Sequence, residues 1–246
     1  MTAIPTPPPL TPVNKTPIWE DFLDIFYAPS VVFERRKADP KFFIGFLVVS
    51  ILAAVILLAG KGLLQGAFDA DFARGIALAM KKNPQLTPEM MEKGKAIGQT
   101  FTTVFLGIAT PIAILLVGPI LWLCGKAVGA TEEIGAAWMV AMYAYFPRVL
   151  GSVFLVVQPL LLSNDSIKGM TSLSVGPARF FDPATSNLGV MALMGRLDLF
   201  TIWGTVLLAI GLKVTGKVSL GKALTAAGLV WLIASAWPVI AGLRAG

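Results

Sequence analysis

Charged residues along this chain are confined to clusters, and the uncharged runs between them decide what solvent it folds in. Phe42 to Gly60 carries no charge for 19 residues, Ala96 to Gly125 for 30, and Ala223 to Leu243 for 21. At the rise of an α-helix, 19 residues cover about 28 Å, close to the hydrocarbon thickness of a bilayer. Only 14% of the 246 residues are charged, against about 25% in an ordinary soluble domain. A soluble protein of this size needs a charged surface that this chain does not have. The pattern predicts an all-α integral membrane protein, a five-span helical bundle with amphipathic interfacial helices.

The spans are placed at about 42–60, 100–124, 134–162, 198–213 and 223–243. Residues 1–17 are rich in proline and read as a disordered tail, with 18–246 forming the membrane domain. The start lacks the basic and apolar regions of a cleavable signal peptide. Thr16-Pro17 reads as a cap followed by the first helical proline. In the helix after it, Trp19, Phe22, Leu23 and Phe26 share one face and Glu20, Asp21 and Asp24 the other. That acidic polar face argues against anionic lipid and for docking on the protein's own helices, with Pro29 as the end.

Between residues 61 and 99, Leu64, Phe68, Phe72, Ile76 and Met80 recur every four residues. Asn83-Pro84 and Thr87-Pro88 then break and restart the pattern. This predicts a helical hairpin at the membrane surface, its second arm a short separate helix. Pro111 and Pro119 are expected to bend the second span. Ile134 to Leu162 reads as one long kinked helix, 163–187 as an external loop, and Leu188 to Leu197 as a short interfacial helix. Trp122, Trp138 and Trp237 fall near span ends, where an aromatic belt is expected.

Several functions are excluded or weakened by composition. The chain has no histidine and one cysteine, Cys124, so zinc, haem and iron–sulfur sites lose their usual ligands. No cofactor and no metal site are expected. A net charge of +6 spread over several loops is no nucleic-acid footprint. Glu132-Glu133 invites comparison with intramembrane proteases, but position 137 is alanine and histidine is absent; the two acids are read as favourable charges at a helix start. No catalytic residue is identified, and the chain is read as not an enzyme.

Basic residues also bear on orientation. With five spans, nine lysines and arginines fall on the amino-terminal side and ten on the other. Density near span ends breaks the tie: Arg35, Arg36, Lys37 and Lys41, with Lys213, Lys217 and Lys222, favour a cytoplasmic amino terminus.

A resemblance to a known family rests on three stretches: APSVVFERRKADP before the first span, Tyr145-Phe146-Pro147 in the third, and LDLFTIWGTVLLAIGLKVTGKVSLGKAL across the fourth and fifth. Together with the amphipathic opening, these resemble bacterial members of the Yip family (Ypt-interacting protein one domain) from about Trp19 to the end. The resemblance implies a five-span bundle in the bacterial inner membrane with a cytoplasmic amino terminus. Eukaryotic relatives look like trafficking adaptors for prenylated small GTPases, but the acidic-aromatic-glycine signatures of that branch are not evident here. The resemblance supplies no catalytic residues.

The candidate intramembrane polar site is Arg148 with Pro147 and Asp198. A cation deep in a span costs about 2.5–3.5 kcal/mol on insertion scales, so Arg148 must face the interior, an acid or a wet cavity. It could stabilise a kink by reaching the Tyr143 carbonyl freed by Pro147, pair with Asp198, or hold an anion or lipid headgroup. Asp198 is read as the cap of the fourth span in preference to a partner of Arg148. The expected role is a non-enzymatic membrane scaffold or adaptor, an accessory subunit or lipid organiser, whose partners are membrane lipids and other membrane proteins. The alternative is a small permease or channel with a site near Arg148.

Overall fold

Every long uncharged run becomes helix. A computed structural model describes residues 17–245, so the expected tail at residues 1–17 lies almost wholly outside the described residues. Ten α-helices follow in order: α1 (Ile18–Tyr27), α2 (Pro29–Arg36), α3 (Phe43–Ala59), α4 (Lys61–Lys82), α5 (Pro88–Ala127), α6 (Ile134–Ala144), α7 (Phe146–Leu161), α8 (Leu188–Gly195), α9 (Leu199–Gly216) and α10 (Leu220–Ala245). Three short 3-10 turns occupy the loop between α7 and α8.

Four segments are long and apolar enough to cross a membrane: α5, α6 with α7, α9, and α10. The fifth candidate is α3 with α4, which pass together but bend by 73° at Gly60. The near side of the bundle holds the α5–α6 and α9–α10 turns; α4 and the α7–α8 loop lie on the far side. One segmentation expectation is corrected. The short helix begun at Thr87-Pro88 does not stop before the second span. Thr87 accepts from the Met90 N–H, and α5 then runs unbroken for 40 residues through Pro111 and Pro119. The hairpin at the surface therefore shares its second arm with a span. The third span is the long kinked helix expected, its halves α6 and α7 meeting at Tyr145, with Pro147 in the first turn of α7, where a missing N–H costs little.

The centre of the bundle is the α6–α9 contact. Gly204 and Gly211, one heptad apart on α9, leave no room for a Cβ: Gly204 would meet the Ala144 carbonyl at 2.9 Å, and Gly211 would meet Val140 and Phe33. Facing them, Ala137, Ala141 and Ala144 are buried. Small residues let the two backbones approach, which is how membrane helices gain dispersion contact without a hydrophobic driving force. Outward residues such as Phe101, Leu116, Leu161 and Leu232 are exposed, as a lipid-facing surface requires.

The first helix docks on the protein's own helices, as expected, but not with all its acids outward. Asp21 was expected on the polar face, yet it is fully buried. Its Oδ2 accepts from Arg36 Nε at 2.5 Å and from the Tyr143 hydroxyl at 2.9 Å, and its Oδ1 lies 3.2 Å from Arg35 Nη1. Arg35 also pairs with Asp24. Phe33 sits edge-on to Tyr143 at 6.1 Å, Phe22 tilts against Phe146 at 4.6 Å, and Phe26 meets Trp203 at 5.2 Å. The physical reason for the correction is Tyr143, whose hydroxyl in α6 needs a buried acceptor that only a carboxylate from α1 supplies.

Glu132 departs from expectation in the same way. It is 4% exposed, pressed against Gly125 and Gly216 where a Cβ would collide with its carboxylate, and neither oxygen has a hydrogen-bond partner. Burial pushes its carboxyl above the ordinary value, partly opposed by nearby Lys126.

Removing the Asp21 carboxylate takes one partner from each of Arg35 and Arg36 and strands the buried Tyr143 hydroxyl. Asp21→Ala is expected to cost about 3 kcal/mol or more, and Tyr143→Phe about 1.5 kcal/mol, read by thermal denaturation in detergent. For Glu132 the folded state holds the proton more tightly than the unfolded chain. Its contribution is therefore fully present below the unfolded pKa and lost as pH rises through the raised folded one. Glu132→Gln should flatten that fall and raise the melting temperature at neutral pH; an unchanged pH profile would contradict the assignment.

Candidate functional site

Arg148 and Arg196 face the same interior space from different elements. Arg148 lies in the first turn of α7, placed there by the break at Tyr145. Arg196 lies in the turn between α8 and α9, because α8 runs back along the second half of α10. There Gly242 meets the Leu188 backbone closely, and the Trp231 indole donates to the Arg196 carbonyl at 3.0 Å. Counting from the near ends of α6, α9 and α10, Arg148, Thr201 and Ser235 stand at a common depth of about 20 Å by helical rise. The two cations thus sit well inside the bundle, beyond its midpoint.

Arg148 Nη2 donates to Thr201 Oγ1 at 2.9 Å, and its guanidinium stands over the Tyr145 ring at 5.6 Å. Arg196 Nε donates to Ser235 Oγ at 3.1 Å. Arg148 therefore reaches across to α9 instead of back to the Tyr143 carbonyl. Pro147 is buried beside it and contributes by starting α7, so that the next residue projects toward α9.

Asp198 is occupied elsewhere. Its Oδ1 accepts from the N–H groups of Phe200 at 2.9 Å and Thr201 at 3.4 Å, and its Oδ2 accepts from Val175 N–H at 3.2 Å. It caps α9 and ties down the α7–α8 loop. Among the described residues, no carboxylate lies within 4.0 Å of either arginine, since none of the ion pairs includes them.

Besides a gap of about 50 Å³ beside Gly204, Thr205 and Val230, two larger connected spaces surround the arginines. One, of about 290 Å³, lies under the loop and is lined by Thr171, Ser174, Asp198 and Thr201 with both arginines. The Thr171 and Ser174 hydroxyls are buried there without a hydrogen-bond partner. The other, of about 720 Å³, runs between α5, α7 and α10, with Phe105, Ala109, Leu116, Ile233 and Trp237 among its walls. Leu116, Ile233 and Trp237 are exposed on the bundle's outside, so this cleft opens toward lipid. Sequence reasoning singled out Arg148 and missed Arg196, which sits in an interfacial-looking segment; only the packing of α8 along α10 carries it inward.

Four to five apolar helices long enough to cross a bilayer, gathered around two half-buried arginines, define an all-α multi-pass integral membrane protein. The Yip1 domain model matches residues 23–241, and the chain belongs to the Yip1 domain family. It is similar to "Membrane protein YknW" of Bacillus subtilis (strain 168), with 26% identity over 196 residues covering 79% of this chain and 78% of the relative. No solved structure matches.

Since Asp198 serves backbone N–H groups, a charge exchange between positions 148 and 198 is not expected to rescue either single variant. Asp198→Ala should cost about 1 kcal/mol as a lost cap, and Asp198→Asn, which keeps an acceptor oxygen, less. Thermal denaturation of these variants beside the wild type decides it, and rescue by the exchange would restore the ion-pair reading.

Proposed function

We propose that this protein is a non-enzymatic membrane scaffold or adaptor that holds lipid and a partner membrane protein together, as an accessory subunit of a larger assembly. The observation that carries this reading is that on the near side of the arginines the polar space narrows to a gap of about 50 Å³ beside Thr205 and Leu208. On the near side of them, Ala137, Val140, Ala141, Leu207, Leu212, Ala223 and Ala227 are all buried and apolar. A permease needs a polar path through the bundle, and this packed layer opposes one. The rival reading, a small permease or channel, draws its support from the arginine cavity alone.

A partner surface is offered by the α4–α5 hairpin on the far side. Phe68, Phe72, Ile76, Leu86, Met90 and Met91 line an apolar groove of about 530 Å³. Lys95 pairs with Asp69 at 3.2 Å on its margin, and Asp71 accepts from the Met170 N–H at 3.0 Å to brace α4 against the loop. Methionine-rich apolar grooves accommodate helical partners well. Two further parts of the reading are the bacterial inner membrane as location and a cytoplasmic amino terminus. Lys126, Lys213, Lys217 and Lys222 crowd the near side, which supports that orientation.

Mild-detergent purification from the native membrane is expected to yield a defined partner in fixed ratio with the wild-type chain. Ile76→Asp, which puts a charge in the groove, should lower that ratio at least tenfold while leaving the melting temperature of the isolated chain unchanged. The purified chain in sealed vesicles should give no solute or ion flux. A solitary monomer with measurable flux would replace this reading with the permease.

A further inference from the structure

The two arginines and the cleft beside them have the two-part character of a phospholipid. We propose that Arg148 and Arg196 bind the phosphate of one anionic phospholipid, an acyl chain of which lies in the cleft between α5 and α10.

Charge is the first argument. Two guanidiniums share one cavity, and the only carboxylate on its wall, Asp198, has both oxygens engaged by backbone N–H groups. A surplus positive charge half-buried among apolar helices needs an external anion or water, because no protein group neutralises it. The second argument is hydrogen bonding. Beyond the bonds to Thr201 and Ser235, the remaining guanidinium N–H groups have no protein partner among the described residues. Thr171 and Ser174 line the same 290 Å³ chamber, with their hydroxyls unpartnered just inside its wall. Several planar N–H donors around one small space, with two unsatisfied hydroxyls in its wall, match the acceptor oxygens of a phosphate.

The third argument is the shape of the neighbouring space. An ion-only site would be closed on its apolar side. Here the chamber shares Arg148, Arg196, Ser174 and Asp198 with the larger cleft. That cleft has walls of Leu57, Phe105, Leu106, Ala113 and Leu116 and a mouth open to the bilayer. A headgroup in the chamber leaves its chains pointing along that cleft. A free phosphate would use the chamber and leave the cleft to chance.

The proposal rests on the non-enzymatic reading but does not need the partner protein, so the two fail separately: lipid retention is measured on the isolated chain, and partner stoichiometry on the assembly. The test is native mass spectrometry and melting of the full-length protein in micelles supplemented with phosphatidylglycerol or phosphatidylcholine. The wild type should retain one phosphatidylglycerol and melt higher with it than with phosphatidylcholine. Arg148→Gln and Arg196→Gln should each weaken retention about tenfold, the loss of one charge-assisted contact. Thr171→Val with Ser174→Ala, which leaves both charges in place, should weaken it severalfold and keeps the test open if an arginine variant does not fold.

Two arms separate the sources of the phosphate. Ala113→Trp, which fills the cleft and spares the chamber, should abolish lipid retention without changing any response to inorganic phosphate. Excess inorganic phosphate should not displace the lipid. Displacement by phosphate, retention unaffected by Ala113→Trp, or equal retention of the zwitterionic lipid would each overturn the proposal.

Discussion

The carboxylate of Asp21 is the point on which the near half of the structure turns. A charge with no exposed surface survives only if it is paired and hydrogen-bonded, and here Arg35, Arg36 and Tyr143 supply all of that from two other helices. The consequence is architectural. Helices α1 and α2 are drawn off the membrane surface and pinned against α6 and α9, and Phe22, Phe26 and Phe33 follow them into aromatic contacts. Two arginines of the basic cluster before α3 are thereby engaged within the protein, which leaves Lys37 and Lys41 to mark that boundary.

On the far side the logic is inverted. Arg148 and Arg196 are half-buried among apolar helices, and the protein gives them hydroxyls in place of carboxylates. Asp198 is near enough to serve but is held by the amino end of α9 and the Val175 amide. The Asp21 cluster thus closes its charges internally, while the two arginines are left open toward a space that continues into lipid. A structural role alone would have favoured the first solution in both places, since an uncompensated buried cation is costly. The asymmetry is the main reason for placing function on the far side.

Much of the fold was legible from residue order. Uncharged runs longer than a bilayer is thick, proline after a capping residue, and a stripe at every fourth position marked the membrane helices, the α4 surface helix and the break before Pro147. The errors came where local signals stop and tertiary contacts begin. Thr87-Pro88 correctly started a helix, but nothing nearby says that it continues for 40 residues. Glu20, Asp21 and Asp24 look alike in sequence, and only the position of Tyr143, more than a hundred residues away, distinguishes the second of them. In the site, Arg148 was visible because it interrupts an apolar run. Arg196 was not, because its own neighbourhood looks like a surface turn.

The sequence by itself determined the solvent, the secondary structure and the approximate spans, because these follow from charge spacing and helical rise over short distances. It also determined that a cation must lie inside the third span. Tertiary structure alone decided which charges are neutralised and which are left facing a cavity. That depends on residues from α1, α6, α8, α9 and α10 meeting at one depth, and such meetings are set by close packing at small residues such as Gly204 and Gly211, which no local pattern encodes.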